Sequence, residues 1–303
     1  MIEVIHHKHN NDDMLVVDAA RASFAKTSGQ YPYEENVGLI RYLARKKHIN
    51  PFFHNRFTFR LSKDDIDLWS LSQNQVTGMV WNVQDDCVMV RHSFYGWLNL
   101  MRHITCEDTA ARIHITMLSR MPESSKAYGQ FPVDLTNDYS ANHFHPDFED
   151  ISLFVKAPIF TARQEYTHKA GFTRSERSGR YVSDTPENFM PTAWREKPKD
   201  GVKQGSGGVS ADSRTATHIA SDVYEYSSVC YQDLIDDLDI APEQARMLLP
   251  QAMMTRYMVT GSLSAFRRMH TERVSSNAQS EIRDYAHMVD EILSKEYGHK
   301  WGL

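Results

Sequence analysis

Cysteine is scarce. Cys87, Cys106 and Cys230 are the only three in 303 residues, and none forms a C-x-x-C pair, which excludes a disulfide framework or a zinc knuckle and leaves reduced, buried thiols as the expectation. Long apolar runs are missing too: stretches such as Met14–Val17 and Met247–Leu249 are far short of the roughly 20 residues a membrane-spanning helix needs. A basic excess is also absent. The 34 Lys and Arg against 39 Asp and Glu leave a net charge of −5, so no nucleic-acid partner is expected and any phosphate site must be local. The polar stretch Met1–His9 has neither the apolar core of a signal peptide nor the face of a transit peptide, and a cytoplasmic protein with no membrane partner is expected.

What is present is an average globular composition, 41% hydrophobic and 24% charged, in a chain long enough to bury one large core or two ordinary ones. Apolar residues three to four apart predict helices over 13–26 and 34–47, and alternation of Arg56, Thr58 and Arg60 with Phe57, Phe59 and Leu61 predicts a half-buried strand over 53–61. Next come a helix over 63–72, a strand pair about Asp85-Asp86, a loop at 142–146, a strand at 151–155, and a helix opening at Ala157-Pro158 and ending near Gly171. The second half reads as helical over 215–238, 242–253 and from Ser262, with a short strand at 257–260. A capping box at Ser276–Gln279 precedes a last helix whose apolar stripe is Ile282, Tyr285, Ala286, Val289, Ile292 and Leu293. Phe94, Tyr95 and Trp97 are read as core or subunit contact, and Met247, Met253, Met254 and Met258 as core. The stretch Lys203–Gly208 fits neither G-x-G-x-x-G nor the Walker pattern and reads as a surface loop, and His143-x-His145 as surface rather than a metal site.

The densest local charge lies between 156 and 180, where Lys156, Arg163, Lys169, Arg174, Arg177 and Arg180 stand against Glu165 and Glu176. In an acidic chain that contrast points to anion binding, with a salt-bridged solvated face as the equal alternative on spacing alone. If the stretch after Gly171 is extended, Glu176, Ser178 and Arg180 share one side. A carboxylate, a hydroxyl and a guanidinium together suit the phosphate and the base or sugar of a nucleotide.

Several segments, in order along the chain, are Ala20–Phe24, His48-x-Asn50-Pro51-Phe52-x-His54, Ala157–Gln164, Thr167-His168-Lys169, Ser175–Tyr181, Glu243–Pro250, Thr260–Leu263 and Arg273-x-x-x-Asn277-Ala278-Gln279. Together they resemble the signature of the flavin-dependent thymidylate synthases, in a divergent form similar to phage-type members, which share Trp194-Arg195 and a Lys-Gln-Gly stretch. The resemblance implies an α/β (α+β) subunit with a central sheet and long helices, assembled as a homotetramer with shared sites. It implies FAD as cofactor, dUMP as substrate, methylenetetrahydrofolate as carbon donor and NADPH as reductant, and no metal. Matched position by position, the dUMP set is Gln164, Glu176, Ser178, Gly179, Arg180, Arg246 and Arg273, with Ser178 and Arg273 in the catalytic role. The FAD set is Ser23, His48, Asn50, His168, Lys169, Arg174, Ser175, Glu176, Ser262 and Arg268. No base is placed for Ser178, which favours substrate positioning over covalent attack.

Residues 62–150 have no counterpart in this motif pattern, so the resemblance divides the chain into 1–61 and 151–303 of one catalytic domain around an insertion, 62–150. Thr167 and Lys169 stand where the family carries arginine, and Ser175 where it carries asparagine. One residue is inserted between His168 and Glu176. Arg174 and Arg268 are expected to supply the missing positive charge to FAD. Two alternatives stay open: a related C5 modification, hydroxymethylation of dUMP or action on dCMP, and a non-catalytic nucleotide-binding descendant.

Overall fold

The computed structural model describes residues 1–24, 26–66, 79–128, 149–178, 186–198, 205–298 and 301. In chain order the elements are β1 (Glu3–His6), α1 (Asp13–Arg21), α2 (Tyr33–Arg45), β2 (Arg56–Ser62), β3 (Val80–Val83), β4 (Cys87–Ser93), α3 (Phe94–Leu100), α4 (Glu107–Arg120), α5 (Pro122–Ala127), β5 (Asp150–Pro158), α6 (Ile159–Tyr166), β6 (Phe172–Glu176), α7 (Ser213–Asp236), α8 (Pro242–Ala245), β7 (Met254–Ser262), α9 (Leu263–Arg273) and α10 (Ser280–Tyr297). Two sheets organise them. A four-stranded sheet has the order β1-β5-β7-β6 and a three-stranded sheet the order β2-β4-β3, with every pairing antiparallel.

Period-two alternation on β5 sends Ile151, Leu153 and Val155 to one face, where they meet Tyr257, Val259, Phe266, Ile282, Tyr285 and Val289 in the first core. The other face carries Ser152 and Phe154. A second core joins α1 and α2 to the three-stranded sheet through Val16, Ile40, Phe57, Phe59, Val90 and Trp97. Trp97 is fully buried, lies edge-on to Phe59 at 4.9 Å and donates its indole N–H to the Phe57 carbonyl at 2.9 Å, so its one polar atom is satisfied.

The segment 62–150 pairs with what precedes it. β4 forms a full ladder with β2, and Asp13 of α1 accepts from the backbone N–H groups of Glu123 and Ser124 at the start of α5. Asp150, at the head of β5, ties the two sheets together: it accepts from Arg56 of β2 at 3.1 Å and from Arg91 of β4 at 2.8 Å. Arg56 also donates to Gly171 O and Thr173 Oγ1 beside β6, and its burial pulls its pKa down to about 10.

The structure departs from five expectations. The strand of 53–61 begins only at Arg56, because Asn50–Phe53 form a 3-10 turn with Pro51 in it. The helix expected to reach Gly171 ends at Tyr166, since the chain reverses to enter β6 through Gly171, at φ +83 with an added Cβ only 2.8 Å from that of Ala265. The helix of 242–253 is one turn of α-helix and a 3-10 turn to Leu248, because Leu249, which precedes Pro250, is extended; Met247 is accordingly 79% exposed instead of core. The capping box at Ser276–Gln279 does not form: Ala278 N–H donates to Ser275 O in a turn, and Gln279 occupies the N-cap position of α10 without a side-chain capping bond. β7 is nine residues long instead of four, being buried at every position except Arg256 and so lacking alternation. Residues 67–72 and 142–146 lie outside the described residues, as do His143 and His145. Among the described residues no helix is long and apolar enough to cross a membrane.

Burial holds three histidines below their ordinary value of 6.5: His9 at about 4, His54 at about 3 and His92 at about 4. Between pH 6.5 and 4 the unfolded chain takes up protons that the folded chain refuses, so the stability is present above 6.5 and is lost as pH falls. For three such groups the slope approaches about 4 kcal/mol per pH unit. Urea denaturation at pH 7, 6 and 5 should show this steep loss; equal stability at pH 7 and 5 would contradict it.

Candidate active site

β6 and β7 place a basic cavity of about 730 Å³ at the end of the four-stranded sheet, under α6. Thr255 and Arg256 of β7, Glu176 and Arg177 at the end of β6, Arg163 of α6, and Arg246 line it. Lys156 lines it as well, paired with Glu187 at 2.9 Å and Glu3 at 3.2 Å, a pairing that raises its pKa, chiefly through the hydrogen bond to Glu187. Five basic side chains against Glu176 and Glu187 give the cavity a positive lining, the electrostatics that suit an anion. The Thr255 hydroxyl donates to Glu176 Oε1 at 2.8 Å, which orients the carboxylate.

The chain beyond β6 is clamped by backbone bonds. Arg177 N–H donates to Arg256 O at 2.7 Å and Ser178 N–H to Ser23 O at 3.0 Å, while the Ser23 hydroxyl donates to Glu176 O at 3.1 Å. Of the residues assigned to dUMP, the cavity thus gathers Glu176 and Arg246, with Ser178 two residues along from Glu176. Gly179 and Arg180 lie outside the described residues.

A second group surrounds the end of α6. Arg273 donates to His168 Nε2 at 2.8 Å, to Gln164 O at 3.1 Å and to Thr167 Oγ1 at 2.9 Å, so it caps that helix C-terminus with a positive charge. Burial, and then the Arg273 charge, lower the His168 pKa, and the accepting Nε2 leaves the ring proton on Nδ1, facing Glu272 at 3.8 Å. The Gln164 amide donates to Gln279 Oε1 at 2.7 Å, beside a second cavity of about 580 Å³ that shares Pro250 and Gln251 with the first.

Arg174 is engaged elsewhere. Its Nε and Nη2 donate to both carboxylate oxygens of Glu165, at 2.8 and 2.7 Å, and Nη2 also to the His168 carbonyl at 2.6 Å. Burial opposes its charge, but the Glu165 carboxylate outweighs that and raises its pKa. Arg268 donates to Ala170 O at 2.9 Å. Ser262 is buried and caps α9 by accepting from Ala265 N–H at 3.1 Å. Lys169 and His48 are exposed. Asn50 reaches β6, donating from Nδ2 to Arg174 O at 2.8 Å and Ser175 Oγ at 3.0 Å.

Arg163 and Arg177 stand in the basic cluster read from the sequence as anion-binding, whereas Arg256 and Thr255 had no role there. Arg256 carried a usable signal, as the one charged residue within an otherwise uncharged strand; Thr255 carried none.

The family model described as "Thymidylate synthase complementing protein" matches residues 139–297, just over half of the chain. The chain belongs to the thymidylate synthase complementing protein family. A flavin-dependent thymidylate synthase of Aquifex aeolicus is 26% identical over 93% of this chain and 94% of its own length. One of Thermus thermophilus is 32% identical over 54% of this chain and 60% of its own length. A solved structure, a UMP/dUMP methylase PolB from Streptomyces cacaoi bound with 5-Br dUMP, is 21% identical at a TM-score of 0.48, covering 99% of this chain and 94% of that one. This member of the family is an enzyme of the flavin-dependent thymidylate synthase type.

Proposed function

We propose that the chain methylates dUMP at C5 to give dTMP, with methylenetetrahydrofolate as carbon donor and NADPH as reductant acting through FAD. The observation that carries this reading is the basic cavity beside Glu176, in a chain of this family. Arg246, Arg256 and Arg163 offer guanidiniums to a phosphate. Glu176, held by Thr255, accepts from a donor on the base or ribose. Ser178 orients the nucleotide, and Arg273 holds the turn Thr167–His168 in place. The flavin, when bound, supplies the hydride chemistry. The residues around β6 fit such a group: Asn50, His48 and Lys169 lie exposed there, and Arg268 adds charge to the turn before β6.

Self-association as a homotetramer is supported by α7. Of its 24 residues only Ala220 and Tyr231 are buried, while Ile219, Val223 and Tyr226 are 61%, 54% and 73% exposed and share one face at helical spacing. An apolar stripe on so long a helix suits a second copy of the chain. Light scattering should give four times the mass of one chain; a monomer would contradict this.

The reading is tested by an anaerobic assay with FAD, NADPH and methylenetetrahydrofolate, offering dUMP and dCMP separately and identifying products by mass. Formation of dTMP from dUMP is the expected result. A hydroxymethyl product, or turnover of dCMP alone, replaces the reading with its C5-modification alternative. Colourless protein that FAD does not reconstitute replaces it with a non-catalytic nucleotide binder.

A further inference from the structure

A chain of hydrogen bonds crosses the four-stranded sheet on the face turned away from α9 and α10. His9 Nε2 meets Ser152 Oγ at 3.0 Å, Ser152 meets Thr260 Oγ1 at 2.7 Å, and Thr260 meets His54 Nδ1 at 2.8 Å. His54 Nε2 then meets Ser175 Oγ at 3.1 Å, where Asn50 also donates at 3.0 Å. The sheet register builds it: Ser152 and Thr173 both pair with Thr260, and Ser175, two residues on from Thr173, points to the same face. Ser152, Thr260, His54 and Ser175 are all buried.

Backbone groups that cannot change role pin both ends. Asn11 N–H donates to His9 Nδ1 at 3.0 Å, so the ring proton of neutral His9 is on Nε2 and goes to Ser152. The Arg174 carbonyl accepts from Asn50 Nδ2 at 2.8 Å, so that atom is the amide nitrogen and donates to Ser175. His54, kept neutral by burial, has one ring proton for its two contacts. The His9, Asn50 and His54 N–H groups and the three hydroxyls therefore bring six protons to five contacts, and one hydroxyl proton is left over.

Where the extra proton resides follows from cost. Ser152 and Thr260 are wholly buried, with no further acceptor among the described residues, and a stranded donor there costs the full desolvation penalty. Ser175 adjoins exposed Asn50 and is the one hydroxyl at the margin. The consistent arrangement runs Ser152 to Thr260 to His54 Nδ1, with His54 Nε2–H donating to Ser175, which accepts twice and must donate outward.

We infer that Ser175 is a fixed hydrogen-bond donor to an acceptor atom of the bound flavin cofactor, and that His54 and Thr260 are positioning residues that set the direction of that bond. The inference rests on the proposed function, which places FAD beside β6. Ser175→Ala should weaken FAD binding about tenfold, the scale of one hydrogen bond. Thr260→Val, which cuts the chain, should weaken it comparably. Thr260→Ser should restore it, and the double variant Ser175→Ala/Thr260→Val should bind no worse than Ser175→Ala alone, because the threonine acts through the serine. Flavin fluorescence titration of each folded apoprotein measures these affinities, with Ser175→Ala sufficient alone if Thr260→Val does not fold. Wild-type affinity in Ser175→Ala, or effects of the two substitutions that multiply, would overturn the inference. Wild-type protein that binds no FAD would instead overturn the proposed function.

Discussion

Replacing Arg174 by alanine is expected to destabilise the protein by about 3–5 kcal/mol, the range for breaking a buried ion pair from one side. Glu165 on α6 is fully buried, and the Arg174 guanidinium engages both of its carboxylate oxygens. Two opposed terms decide the sign. Desolvation makes both charges costly, and a bidentate, charge-assisted contact offsets that cost only while both partners stand. Alanine leaves a carboxylate in an apolar interior and also frees the carbonyls of Glu165 and His168, which Arg174 ties to β6. The double variant Glu165→Leu/Arg174→Met should recover most of the loss, since it removes the stranded charge. Urea denaturation checks both variants; a loss below about 1 kcal/mol in Arg174→Ala would contradict this. Comparing FAD binding in the double variant with wild type separates a direct Arg174 contact to the cofactor from support of the α6–β6 turn.

Glu176→Gln is expected to lower kcat/KM for the nucleotide about 10- to 100-fold, because a hydrogen bond to a charged acceptor is worth about 1.5–3 kcal/mol. Glutamine keeps a carbonyl oxygen for the Thr255 hydroxyl and keeps the volume, so only the charge is withdrawn. Glu176 is exposed at the cavity, so stability should stay within about 0.5 kcal/mol of wild type. Steady-state kinetics with dUMP, alongside a urea curve, measure both quantities. Unchanged kcat/KM would remove Glu176 from the site, and a large stability loss would recast it as structural.

The parts of this fold that can be read from sequence are those with a period. The stripe of α10 is buried at Ile282, Tyr285, Ala286, Val289 and Leu293; α2 and β5 lie close to where spacing places them, while α1 stops at Arg21, short of the expected 26, and β2 starts three residues late. The full length of β7 escaped because a central strand buried on both faces shows no alternation, so only 257–260 was read as strand. The end of α6 escaped because its stop depends on a left-handed glycine five residues beyond Tyr166 and on the side chain of Arg273 from α9. Composition showed the charge around 156–180 but not its division: Arg163 and Arg177 line the cavity, whereas Arg174 neutralises Glu165. Contacts across more than 100 residues, such as His54 to Thr260, leave no local trace. The motif residues Glu176 and Arg246 do meet at one cavity, while Ser262, matched to the same family pattern, is a buried helix cap.

The most direct measurement is a crystal structure of the flavin-loaded protein with dUMP. The nucleotide should occupy the cavity under α6, with its phosphate against Arg246 or Arg256 and its base or ribose within hydrogen-bond distance of Glu176. A nucleotide bound elsewhere, away from Glu176, would contradict the assignment of this cavity.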